Sequence, residues 1–182
     1  LLRPSMISAI EYAIANLSST ATLRASTPAL EFLPPAAWYD LDNEEAHDSM
    51  ASRVLLRSES PIPAFASNVV IQYFDLGQCE VVRLSEIDTT LDISALEQSV
   101  VLDHTVDLDG YLCVDDGTYR TGGFDLRVRR AQLAYSTAQG TSMLAIFTAT
   151  TSESAWDSTQ SEITEMETRW LQKTTNRTSG GI

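Results

Sequence analysis

The sequence predicts an α+β fold, an antiparallel sheet of about six strands flanked by helices. Three observations carry that expectation. First, residues 127–135 alternate: Arg127, Arg129, Ala131, Leu133 and Tyr135 fall on one face, and Val128, Arg130, Gln132 and Ala134 on the other. Period-two patterning of this kind suits a strand. Second, the polar run 136–142, with Gly140, joins it to the apolar run 143–150 (MLAIFTAT), which reads as a central strand. A seven-residue link suits an antiparallel hairpin and is too short for a parallel crossover. Third, Trp156, Gln160, Ile163, Met166 and Trp170 recur at helical spacing, so the hairpin runs into an amphipathic helix. That stripe reads as core packing against the hairpin.

The remaining elements follow in chain order. Residues 4–17 read as a helix with Met6, Ile10, Ala13, Ile14 and Leu17 on one face, packed on the sheet or on a second subunit. A short extended piece falls in 23–33, broken by Pro28, and Pro34-Pro35 leads to Trp38 and Tyr39, which pin the loop to the body. Residues 52–56 and 66–75 are strands, the second rich in β-branched and aromatic residues. A helical segment is expected within 81–99, centred on 93–98, followed by two short strands in 100–119. Asp109-Gly110, Asp115-Asp116-Gly117 and Thr121-Gly122-Gly123 read as three turns, which implies a meander leading into the hairpin. Ser152 or Ser154 reads as the cap of the last helix, and Ser154-x-x-Asp157 resembles a capping arrangement. The domain organisation expected is an N-terminal helix and linker over 1–22, a single α+β domain over 23–173 and a flexible tail over 174–182.

Composition limits the functional classes. Twelve Lys and Arg against 25 Asp and Glu give a formal charge of −13, which repels phosphate backbones and argues against nucleic acid as a partner. No apolar run reaches the length of a membrane span. Cys79 and Cys113 permit one disulfide if the chain is exported and two buried thiols if it is not. The chain starts on Leu1, so a fragment or processed product is expected. Localisation follows the same fork: extracytoplasmic, in the cell envelope, if an upstream signal was removed, otherwise cytoplasmic.

Few residues carry chemistry. Arg120, Arg127, Arg129 and Arg130 form the one basic cluster of an acidic chain, a candidate surface for an acidic partner or a lipid headgroup, or else the wet face of a strand neutralising nearby acids. His104 beside Asp103 is the candidate acid/base pair of an alternative reading as a small hydrolase. No G-x-S-x-G elbow or marked Cys–His pair supplies its nucleophile. The acidic run 40–50 matches no calcium loop and reads as a solvated turn or helix start. The Asp-Gly pairs read as turns, and neither histidine has a second within helical reach, so no metal site and no cofactor is expected.

The order of elements resembles the Mog/PsbP-like α/β/α sandwich, and within it the LpqN/LpqT-type lipoproteins of mycolic-acid bacteria. The residues carrying the resemblance are Phe32-Leu33-Pro34-Pro35-Ala36-Ala37-Trp38 and Ala66-Ser67-Asn68-Val69-Val70-Ile71. With them go the strand pair from Tyr119 to Arg130 split by Gly122-Gly123, and Leu144 to Thr150 running into the helix with Trp156. The likeness spans 32–171; the helix at 4–17 and the lack of a lipobox cysteine depart from the lipoprotein pattern. The resemblance implies a non-enzymatic, envelope-associated binding or accessory protein that presents surfaces to a protein or envelope component, with no catalytic residues to carry over. Two alternatives stand beside it: the hydrolase using His104 and Asp103, and a lipid- or small-ligand-binding protein with a cavity between helix and sheet. The first helix is a candidate dimerisation face, and oligomeric state is left open.

Overall fold

The computed structural model describes residues 8–176. Its centre is a sheet of eight strands in the order β2-β3-β4-β8-β7-β6-β5, with β1 paired to β4. The strands are β1 (Thr22–Arg24), β2 (Trp38–Asp40), β3 (Arg53–Arg57), β4 (Asn68–Gly77), β5 (Val100–Asp107), β6 (Leu112–Thr121), β7 (Phe124–Ser136) and β8 (Ser142–Ser152). Every pairing is antiparallel. The helices are α1 (Ala9–Asn16), α2 (Asn43–Asp48), α3 (Leu91–Ser94) and α4 (Trp156–Thr175). The expected class is the one observed. The two strands beyond the expected number are β1 and β2, each three residues long and too short to show a period.

The period-two pattern sorts side chains between two covered faces. Ile71, Phe147, Ala131 and Val114 line up across β4, β8, β7 and β6 by register and point toward α4. There Ile163, Met166 and Trp170 are fully buried, and the Trp170 ring meets Phe147 with centroids 5.6 Å apart. Burial of this size stabilises by roughly 2 kcal/mol or more per large side chain. The opposite face carries Leu144, Ile146, Ala134 and Cys113, covered by Ala9 and Ala13 of α1 and by Val82 and Leu84. Strand β8 is therefore buried on both sides, as its continuous apolar run demands.

Several expectations need correction. The first helix starts at Ala9, with Ser8 and Glu11 forming a reciprocal cap; residues 4–7 lie outside the described residues. Its buried face centres on Ala9 and Ala13, while Ile14 is 49% exposed. The segment 81–99 forms a single 3-10 turn at Leu84–Glu86 and then α3, a four-residue helix ending before most of the predicted one. Ser154 does not cap α4: the helix is entered through a 3-10 turn, Glu153–Ala155, with no side-chain cap. Asp115-Asp116-Gly117 is no turn; all three sit inside β6 and are buried. The Asp109-Gly110 and Gly122-Gly123 turns form as expected, with Asp109, Gly110, Gly122 and Gly123 in the left-handed region. Thr174 and Thr175, placed in the tail, are helical, and 177–182 lie outside the described residues. Cys79 and Cys113 are both free thiols. No helix among the described residues is long and apolar enough to cross a membrane.

Candidate functional site

The four arginines do not share one surface. Strand alternation sends Arg127 and Arg129 toward α4 and Arg130 to the opposite face. Arg129 is clamped between two acids: its Nη1 donates to Asp116 at 2.6 Å, and its Nε and Nη2 donate to Glu167 at 2.6 and 2.9 Å. The Glu167 hydrogen bonds hold the Arg129 guanidinium above its ordinary pKa, against a smaller opposing effect of burial. Arg127 lies over the Trp156 ring, 4.6 Å from its centroid, and 3.9 Å from Asp116. Arg130 donates from Nε to Asp92 at 3.1 Å and from Nη1 to Thr148 at 2.8 Å, which ties α3 to the sheet. Arg120 is exposed and pairs with Asp125 at 3.4 Å. Three of the four thus hold helices onto the sheet through their own chain's acids or a ring.

His104 meets a different carboxylate from its sequence neighbour. Its Nδ1 lies 2.5 Å from Oδ1 of Asp115, directly across the β5–β6 pair. Asp115 is fully buried and also accepts from the Thr89 hydroxyl at 2.7 Å. Asp103 instead accepts the backbone N–H of His104 at 2.9 Å. The sequence hides this pairing because Asp115-Asp116-Gly117 has the composition of a turn; only the β5–β6 register brings Asp115 opposite His104. No side-chain hydroxyl or thiol bonds the imidazole among the described residues, so the geometry is that of a histidine fastened to a buried acid. Among the described residues no three His, Cys, Asp or Glu side chains converge to hold a metal ion.

A cleft of about 450 Å³ lies at one end of the sheet, lined by Arg24, Leu30, Tyr73, Tyr135, Met143 and the 136–139 turn. Leu30, Tyr73, Tyr135 and Met143 belong to the core that α4 covers, so the cleft continues that core to the surface. Two backbone features frame it. The β7–β8 turn closes with Thr137 N–H donating to the Thr141 carbonyl at 2.9 Å, Gly140 taking a φ of 80°. Opposite, Leu30 N–H donates to the Thr27 carbonyl at 2.8 Å and folds the loop after β1 inward. Arg24 sits at the rim, held by Asp75 at 2.6 Å; that hydrogen bond lowers the Asp75 pKa, opposed by burial. Under α4 itself the sheet face is filled by Ile163, Met166 and Trp170, so the cleft lies beside the helix. The cleft was missed in the sequence because its walls come from strand ends and a loop far apart in the chain. Tyr135, placed at the apolar end of an alternating strand, was the one visible sign.

No protein-family model and no curated protein matches the chain. A solved structure does: the crystal structure of LpqN, involved in cell envelope biogenesis of Mycobacterium tuberculosis. The match covers 87% of this chain and 93% of that one, with a TM-score of 0.64 and 14% sequence identity. At that identity the likeness shows a shared fold, an antiparallel sheet with its helices in the arrangement that LpqN has.

Proposed function

We propose that the chain is a binding or accessory protein of the cell envelope that holds a small, largely apolar ligand in the cleft beside α4. The cleft carries this reading. Its volume, about 450 Å³, falls in the range of small-molecule sites, and its floor of Tyr73, Tyr135, Leu30 and Met143 under a polar rim has the makeup of such sites. The envelope assignment is supported by the fold shared with LpqN, whose structure is described as involved in cell envelope biogenesis.

The test uses the full chain and Nile red, a neutral dye that brightens in apolar surroundings. Saturable binding at one site is expected. Ala138 is exposed at the mouth of the cleft, so Ala138→Trp obstructs it without touching the core. That substitution should weaken dye binding by about tenfold or more. Binding of equal strength in the two proteins would place the dye elsewhere and remove the cleft from the argument.

A further inference from the structure

The sheet ends on two unlike edges. On one side β2 is three residues long, short enough to keep the sheet from recruiting another strand. On the other side β5 runs for eight residues, with no strand beyond it among the described residues. Seven of those eight side chains are exposed, Val101 alone being half-buried. Val100, Leu102 and Val106 are 54%, 50% and 46% exposed, and Leu108, just past the strand, 43%. A long edge strand with open apolar side chains is a template for one more strand, and proteins blunt such edges unless they use them.

Two amides along this edge are capped by the chain's own acids. The amide of His104 donates to the Asp103 carboxylate at 2.9 Å, and that of Leu108 to Asp107 at 2.7 Å. Strand alternation turns the peptide groups of Val106 outward along with those of His104. Both caps are exchangeable: a partner carbonyl can accept the same N–H while a partner cation takes the released carboxylate. Charge then selects the partner. Residues 84–119 contain nine Asp and Glu and no Lys or Arg. A second copy pairing antiparallel through β5, with His104 of each strand opposite Val106 of the other, would set Asp103 against Asp107, which is destabilising. A basic strand neutralises them.

We propose that β5 is a strand-addition site for an extended basic segment of a partner protein, in which Lys or Arg alternate with apolar residues. The partner's backbone bonds the outward peptide groups of His104 and Val106. Its apolar side chains cover Val106, and its cations, one residue out of phase, meet Asp103 and Asp107 on the other face of the strand. The surface shares no residue with the ligand cleft and stands independently of it.

The experiment measures binding of a labelled peptide of roughly ten residues, alternating Lys and Val, to the full chain by fluorescence anisotropy. Saturable binding is expected, weakening as salt rises from about 50 to about 200 mM. A Glu–Val peptide should not bind. N-methylating alternate residues of the Lys–Val peptide keeps side chains and charge but removes the donors along one edge. One of the two alternate sets should weaken binding by about tenfold or more and the other should spare it. Val106→Pro, which removes an outward donor where an edge strand tolerates proline, should act like the disruptive set. Equal binding by both N-methylated peptides, or no saturable binding, overturns the proposal, and neither result depends on a variant folding. A dimer of the chain that forms through β5 and is lost in Val106→Pro would overturn it too, by giving the edge to a second copy.

Discussion

Glu162 shows how one side chain fixes the position of a whole helix. Its Oε2 accepts from the Trp38 indole at 2.5 Å and from Arg57 Nε at 2.9 Å, while Oε1 accepts from Arg57 Nη2 at 3.2 Å. Trp38 and Arg57 are register partners in β2 and β3, so α4 is anchored to the short edge of the sheet. The Arg57 hydrogen bond lowers the Glu162 pKa, burial opposes it, and the Trp38 hydrogen bond lowers it further. A carboxyl lowered in the folded state contributes stability that is complete above its unfolded value, about 4.3. That contribution is lost as pH falls through the folded value. Glu162→Gln should therefore cost about 1 kcal/mol at neutral pH, and the gap to the parent chain should close as pH falls toward about 3. Urea unfolding of both proteins across that range measures it. A gap that stays constant would mean that shape at this position matters and charge does not.

At the scale of elements, legibility followed the length of the periodic run. Strands β7 and β8 and helix α4 were readable because ten or more residues each repeat one pattern, and α4 presents Ile163, Met166 and Trp170 as its spacing requires. Strand β2 was not readable, and β1 only as an unpaired extended piece within 23–33, since three residues hold no period and their pairing is decided by β3 and β4. The candidate sites were less legible still. The arginines were visible as a cluster, but their partners Asp116, Glu167 and Asp92 lie on other elements. The Asp-Asp-Gly of β6 misled because Asp-Gly commonly turns a hairpin. Gly117 is there for a different reason: a Cβ on it would stand 2.6 Å from Ile93 Cγ2 and 2.7 Å from the Val100 carbonyl oxygen. Isoleucine can shift; the β5 backbone cannot do so without opening the β5–β6 pair. Gly117→Ala should destabilise the chain by about 1–3 kcal/mol, with amide exchange accelerated first in β5. An alanine variant as stable as the parent would show that β5 gives way freely.

For the whole molecule the controlling quantity is the excess of acid. Among the described residues, eight arginines are already engaged by acids of the same chain, at distances from contact to 3.9 Å. What is left over is a net charge of −13. The two kinds of interaction respond differently to salt. Paired groups in contact lie well inside a Debye length at any ordinary ionic strength, and several pairs are sheltered: Arg129 and Glu167 have side chains only 24% and 14% exposed. The unpaired acids repel one another across longer distances through water, which salt screens as the Debye length falls from about 30 Å at 0.01 M to about 8 Å at 0.15 M. Repulsion should therefore weaken more than attraction, and the folded chain gains because it is the compact state that crowds the charges. The melting temperature is expected to rise as sodium chloride is raised from about 0.01 to about 0.15 M, with little change in glucose at matched osmolality. A melting temperature that falls over that range would mean that the arginine pairs, and not the surplus acids, set the electrostatic balance of the fold.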